Sequence, residues 1–341
     1  MMSNGFISPF KIISSGKIKL PLGRWALIYD KKLQKHICKI SGELCFKIPI
    51  NAGEGAKSLK AFEGVVKKLA RLELAHGACD GICVLGGGSL GDMGAFVASV
   101  YRRGVRLILV PSTYLSVIDS AFGGKTALNF GAAKNQIGTF YPAESVLVHK
   151  QILPSNTQLV RDAYAELLKT AILERGLWNK MQKLKRFDSN GFWKLAEDCI
   201  LAKLKIVKKD PRETKGLRQL LNLGHTLGHV FEKIAPLSHG EAVALGLFYE
   251  LEIFYLIERL DEETYLDILE LWEELFSYKK LRAKLMSKHS EKRVAALLLR
   301  DKKAKLGTIQ IPVVNSIGKV AVEKLPATLF LQFLKIQGIT R

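Results

Sequence analysis

Through the first part of the chain, short apolar runs alternate with longer segments whose apolar residues recur every three to four positions. Residues 25–29, 46–50, 81–85, 107–110 and 146–148 have the length and apolar continuity of buried strands. Segments 59–74 and 92–102 carry the helical period between them. Parallel strands need crossover connections, so this alternation predicts a parallel sheet covered by helices. Beyond about residue 153 the pattern changes. From 158 to 299 the helical period dominates, and two late apolar runs, 308–314 and 318–322, predict a hairpin. The expected organisation is an α/β domain with a parallel sheet over 1–153 and an all-α domain over 154–341. No repeat, low-complexity tract or long linker interrupts it.

Composition narrows the class. The 341 residues are 48% hydrophobic, which supports two sizeable cores and excludes a disordered chain. The N-terminus lacks a basic stretch followed by a long apolar one, so no signal peptide is expected. The most apolar helical stretch, 242–257, contains Glu250 and Glu252 and is too short to span a bilayer. Five cysteines without a CxxC pair fit reduced thiols in a cytoplasmic protein. The net charge of +20 raises the question of nucleic acid. Yet the basic residues are spread through 180–186, 203–209 and 279–303 without interleaved aromatics. No nucleic-acid or membrane partner is expected. A solvated surface is the better reading, with some cations gathered around an anionic substrate that the overall charge would attract.

Two motifs carry chemistry. Leu85-Gly86-Gly87-Gly88-Ser89-Leu90-Gly91-Asp92 follows a predicted strand and precedes a predicted helix. Glycines there let backbone N–H groups approach a pyrophosphate, and the helix start adds positive potential. The run does not fit GxGxxG, and a tight turn is the plainer alternative. The second motif is dispersed. Glu166, His225 and His239 form a carboxylate-plus-two-imidazole set suited to a divalent metal with an open coordination position. His225 and His229 share a helix face at their spacing. Both could bind metal, or one could bind while the other moves protons. Glu166 and Lys169 could equally form a local ion pair. A dinucleotide cradle together with a metal set points to redox chemistry on a polyol.

In chain order, GGGSLGD, VPSTYLSVIDSAFGGKTALN, AAKNQIGTFY, YAELLKTAI, LNLGHTLGH and SHGEAVALG resemble the 3-dehydroquinate synthase family, over about residues 51–318. The motifs are specific in combination rather than singly. The resemblance implies a nucleotide-binding α/β domain followed by a helical one, a fold similar to glycerol dehydrogenases and iron-type alcohol dehydrogenases. It implies a lyase of the shikimate pathway that uses NAD and Zn2+ or Co2+. Such an enzyme converts 3-deoxy-D-arabino-heptulosonate 7-phosphate to 3-dehydroquinate and phosphate. In the family's reaction, oxidation at C5 by NAD acidifies the neighbouring C–H and phosphate leaves by β-elimination. The same nicotinamide then returns its hydride, and an intramolecular aldol step closes the ring.

By this resemblance Glu54, Lys57, Gly87, Gly88, Asp92, Ser112, Thr113, Asp119 and Lys134 contact NAD. Asp30 matches a further contact, but Lys31 and Lys32 follow it where the family has an amide. Glu166, His225 and His239 are the implied metal ligands, and His229 faces the substrate. Lys125, Asn135, Lys169, Lys203, Arg218, Asn222 and Lys302 surround the phosphorylated sugar acid, with Lys303 an adjacent candidate for the last. Arg103 matches an arginine that reaches a neighbouring subunit's site, which implies a homodimer. The segments 152–166, 212–218 and 229–239 depart from the family pattern at loops. Three other readings are kept: a different sugar-phosphate cyclase, a polyol dehydrogenase that releases NADH, and a basic nucleic-acid binder that has lost catalysis.

Overall fold

The computed structural model describes residues 8–131, 133–285, 289–299 and 307–340. Its contacts divide the chain into two compact units, Met1–Leu159 and Val160–Arg341.

The first unit is built on a six-stranded parallel sheet. Its elements are β1 (Phe10–Ile13), β2 (Ile18–Asp30), β3 (Ile40–Ile50), α1 (Leu59–His76), β4 (Gly81–Gly86), α2 (Gly88–Val100), β5 (Arg106–Pro111), β6 (Leu128–Phe130), β7 (Ala133–Ile137) and β8 (Ser145–His149). The sheet order is β1-β8-β5-β4-β2-β3, and β6 pairs with β7 in a separate antiparallel ribbon. Every residue of β4 is buried, as a continuous apolar run in a two-sided sheet should be. Leu27, Cys83 and Ile108 stand in register across β2, β4 and β5 and pack in the core with Trp25, Leu85 and Val110. Burial pushes the Cys83 thiol up to about 12, which makes it an inert core residue. The side chain of Ser58 accepts from Ala61 N to start α1, and Gly77, at φ 82°, ends it. The chain places β3 on one side of β2 and β4 on the other. That reversal puts a topological switch point at the carboxyl ends of β2 and β4, where open α/β sheets bind ligands.

The second unit is helical, with one hairpin. It comprises α3 (Thr157–Leu173, which straddles the boundary), α4 (Arg175–Gln182), α5 (Ser189–Lys209), α6 (His225–Ile234), α7 (His239–Leu256), α8 (Glu262–Leu275), α9 (Tyr278–Lys284), α10 (Glu291–Leu298), β9 (Thr308–Ser316), β10 (Lys319–Pro326) and α11 (Ala327–Ile336). The expected late hairpin is present as the antiparallel β9–β10 pair. α7 is buried on nearly all sides, which explains why its sequence is apolar all round. A capping box of Ser238 and Glu241 starts it. α6 crosses α7 on glycines. A Cβ on Gly246 would come within 2.5 Å of Gly228 N, and one on Gly228 within 3.0 Å of Ala242 O. Among the described residues, no helix is long and apolar enough to cross a membrane.

Candidate metal centre and nucleotide cradle

Three helices of the second unit each bring one side chain to a common point. α3 presents Glu166, α6 presents His225 in its first turn, and α7 presents His239 as its first residue. His225 Nε2 lies 3.2 Å and His239 Nε2 3.4 Å from Glu166 Oε1. One donor atom from each of the three falls within 4.8 Å of the others. Ligands bound at about 2.0–2.1 Å around a tetrahedral ion stand about 3.3–3.4 Å apart, so the set fits a zinc-like cation. The outward nitrogens are also held: His225 Nδ1 is 3.1 Å from Leu223 O, and His239 Nδ1 is 3.5 Å from Glu232 Oε2. Ligand histidines are normally oriented in this way. Glu166 is 2% exposed, and its Oε1 has no well-formed hydrogen bond. A buried carboxylate oxygen in that state calls for a cation.

Lys169, one turn along α3, supplies one positive charge through an ion pair with Glu166 Oε2. Burial alone would push the Glu166 carboxyl up, but Lys169 and His225 pull it well below the usual carboxylate range. Burial also works against charge on His239, yet Glu166 and Glu232 push it up to about 10. Without a cation the centre therefore keeps a proton on His239, and a divalent metal must displace it. His229 stands apart. It is exposed, its ring centroid is 5.3 Å from that of His225, and it is not in the three-residue set. Of the two readings of the helical histidines, the geometry brings one to the centre and leaves the other beside it.

The surrounding packing fixes these helices. Ser238 Oγ, which starts α7, donates to Asp162 Oδ1 at 2.7 Å, and a Cβ on Gly240 would overlap the Asp162 backbone. The fully buried Asp210 accepts from Thr214 N at 2.8 Å and Lys215 N at 3.0 Å, shaping the loop before Arg218. Arg218 is buried and donates through Nη1 to Pro211 O at 3.0 Å. Lys203 is buried on α5, and Asn222 ends the short helical turn Leu217–Asn222. Lys302 and Lys303 lie outside the described residues.

The cradle belongs to the first unit. α2 begins at Gly88, earlier than the apolar period suggests, so the glycine run leads straight into its positive end. A Cβ would meet Thr113 Cγ2 at 3.0 Å from Gly87 and Ser120 Oγ at 2.9 Å from Gly88. A side chain at either position would therefore crowd its neighbour. Ser112 N donates to Gly86 O at 3.0 Å, and Thr113 Oγ1 donates to Ser116 Oγ at 2.8 Å. Asp119 sits in the π turn Ser116–Ser120 that follows.

Beside the cradle is a polar network. Lys57, buried, donates to Asp92 Oδ2 at 2.6 Å and to Asn135 Oδ1. Asn129 donates to Glu54 Oε1 at 2.6 Å and accepts from Asn135 N at 3.0 Å, while Ser89 Oγ lies 3.3 Å from Glu54 Oε2. Burial pushes the Asp92 acid up, against Lys57. For Glu54, the Asn129 amide and Lys57 outweigh burial and lower it. Asn135, expected at the substrate, thus keeps company with residues expected at the cofactor, held at φ 56°. Asp30 accepts from Lys32 N at 3.1 Å and caps the helical turn that follows β2. Lys125 and Lys134 are exposed. Arg103 is exposed in a left-handed conformation, next to Arg102 in the same state. Asn129 closes one of the motifs, and Glu232 shares a helix face with both His225 and His229; the sequence pattern alone distinguishes neither.

The family model for the N-terminal part of 3-dehydroquinate synthase matches residues 47–161, and the model for its C-terminal part matches 163–304. A 3-dehydroquinate synthase from Enterococcus faecalis is 35% identical over 321 residues, covering 91% of this chain and 86% of that protein. Among solved structures, 2-deoxy-scyllo-inosose synthase complexed with carbaglucose-6-phosphate, NAD+ and Co2+ superposes with a TM-score of 0.80 at 23% identity, covering 94% of this chain and 92% of the other. The 2-epi-5-epi-valiolone synthase of Streptomyces hygroscopicus subsp. jinggangensis, with NAD+ and Zn2+ bound, gives 0.75 at 20% identity, covering 95% and 98%. At these identities the solved structures speak for the fold.

Proposed function

The chain belongs to the 3-dehydroquinate synthase family of NAD- and metal-dependent lyases, and from that premise we propose how its own residues divide the work. Glu166, His225 and His239 hold a zinc or cobalt ion. The strand–glycine–helix turn at Gly87 and Gly88 holds the NAD pyrophosphate, with Glu54, Lys57, Asp92, Ser112, Thr113, Asp119 and Lys134 along the nucleotide. Asp30 contributes by shaping its turn. When bound, the metal supplies Lewis acidity at the reacting hydroxyl and NAD a transient store for its hydride.

The substrate is the sugar phosphate 3-deoxy-D-arabino-heptulosonate 7-phosphate, and 3-dehydroquinate and phosphate are the products. Lys125 and Asn135 receive the phosphate; Lys203, Arg218, Asn222 and Lys302 answer the carboxylate and hydroxyl groups. Arginine's planar fork suits a carboxylate, and lysine acts as a compact charge. Lys169 keeps Glu166 ionised as well as standing near the substrate. His229, exposed beside the metal ligands, moves the hydroxyl proton. The enzyme works in the cytoplasm as a homodimer, with Arg103 reaching across to its partner.

The observation that carries this reading is the convergence of Glu166, His225 and His239 from three helices in a chain of this family. The test is metal dependence. A strong chelator should abolish turnover and zinc or cobalt should restore it; full activity in rigorously metal-free protein would refute the assignment.

A further inference from the structure

Glu250 lies in the body of α7 and is completely buried. α6 begins at His225, so a metal ligand stands in the first helical turn, whose N–H groups have no partner within the helix. Such groups are usually capped by the side chain just before the helix. Here that residue is Gly224, left-handed at φ 76° and ψ −12°, with no side chain to offer. Nor is there room for one, since a Cβ would come within 3.0 Å of Leu247 Cβ and Val243 O. Glu250 supplies the cap from the neighbouring helix. Its Oε2 accepts from Gly224 N at 2.7 Å, and its Oε1 accepts from Leu227 N at 3.0 Å. The two bonded residues bracket His225. Burial pushes the Glu250 acid up to about 8, against these backbone donors, but both oxygens keep lone pairs for them in either protonation state. The helices themselves meet on Gly224, Gly228 and Gly246. The glycine seam lets the helices approach closely near His225, and farther along α6 Phe231 packs on Tyr249 of α7, ring centroids 5.7 Å apart.

We propose that Glu250 is a positioning residue for the metal centre. Its buried carboxyl caps the first turn of α6 from α7 and so holds His225 where a divalent cation needs it, against Glu166 and His239. The inference rests on the metal reading given above. Glu250 acts through the backbone on either side of His225, not by contact with the ion. Replacement by Gln leaves one acceptor and turns an amide N–H toward the other backbone donor. Replacement by Asp keeps the carboxyl but withdraws it by one methylene.

The experiment compares zinc dissociation constants, by competition with a chromophoric chelator, for the parent, Glu250→Gln, Glu250→Asp and a control. The control is Trp272→Phe, which removes the 2.8 Å hydrogen bond from Trp272 Nε1 to Ala244 O, also on α7. Thermal unfolding of each metal-free protein is recorded alongside. Both Glu250 variants should bind zinc about ten- to hundredfold more weakly. Trp272→Phe should lose stability and keep its zinc affinity. Should Glu250→Gln fail to fold, Glu250→Asp carries the same comparison. Zinc affinity within twofold of the parent in a folded Glu250 variant would overturn the proposal, as would an equal loss in Trp272→Phe. A parent that binds no zinc would overturn the metal reading itself, and this inference with it.

Discussion

Replacing Gly246 by Ala inserts one methyl carbon where α6 crosses α7. That carbon would lie 2.5 Å from Gly228 N, 2.9 Å from Gly228 Cα and closer still to Gly224 O, where 3.0 Å is the practical floor. The obstacles are backbone atoms, so no side chain can swing aside. α6 must retreat by about 0.5 Å or more to clear Gly228 N alone. Overpacking of this kind typically costs about 1–3 kcal/mol. The displaced helix carries His225, whose Nε2 stands 3.2 Å from Glu166 Oε1. Metal–ligand distances tolerate only about 0.2 Å, so the movement reaches the centre at more than its tolerance. We expect Gly246→Ala to unfold at lower denaturant and to bind zinc at least about tenfold more weakly, a loss of about 1.4 kcal/mol. The assay is a zinc titration against a competing chelator beside a urea melt of the metal-free protein. Parental stability together with parental zinc affinity would refute the view that this glycine crossing sets the ligand geometry.

The two helical histidines should respond differently: His225→Asn should lose metal first and recover partly at high zinc, while His229→Asn should keep metal and NAD but slow the redox step by about 100- to 10,000-fold. Bound metal per subunit beside single-turnover NADH absorbance decides this, and a reversed pattern would reverse the assignment. Because Glu166 and Glu232 hold His239 at about 10 in the metal-free centre, zinc must expel its proton between pH 7 and 9. Rising pH weakens that competition, so zinc affinity should increase by about tenfold per pH unit over this window for one proton released. Calorimetry in buffers of different ionisation enthalpy measures the proton count, and a pH-independent affinity with no proton released would contradict it.

The sheet was legible because β2, β4, β5 and β8 contain continuous apolar runs, and the helical second unit because its period persists. β1 was not legible: Phe10–Ile13 is four residues long, carries a lysine, and gains its state by pairing with β8. β7, Ala133–Ile137, is mostly exposed and polar, with nothing in its pattern to mark a strand. Propensity yields to tertiary pairing in both. In the candidate site, the metal set stood out as residue types within distinctive strings. Which of His225 and His229 joins it was not legible from spacing, since both lie on one helix face. Glu250 was visible only as a carboxylate in the most apolar stretch of the chain. Its capping role depends on Gly224 having no room for a side chain, which only the packing of α6 against α7 reveals. Asn129 is similar: its amide ties Glu54 to Asn135 only once β6 and β7 are formed.

A 3-dehydroquinate synthase uses NAD without net consumption. The most direct test incubates the protein with 3-deoxy-D-arabino-heptulosonate 7-phosphate, NAD and zinc, and follows phosphate, 3-dehydroquinate and NADH absorbance together. Phosphate and 3-dehydroquinate should appear in equal amounts over many turnovers, with no NADH accumulating. Steady accumulation of NADH without phosphate release would contradict it and point to a polyol dehydrogenase.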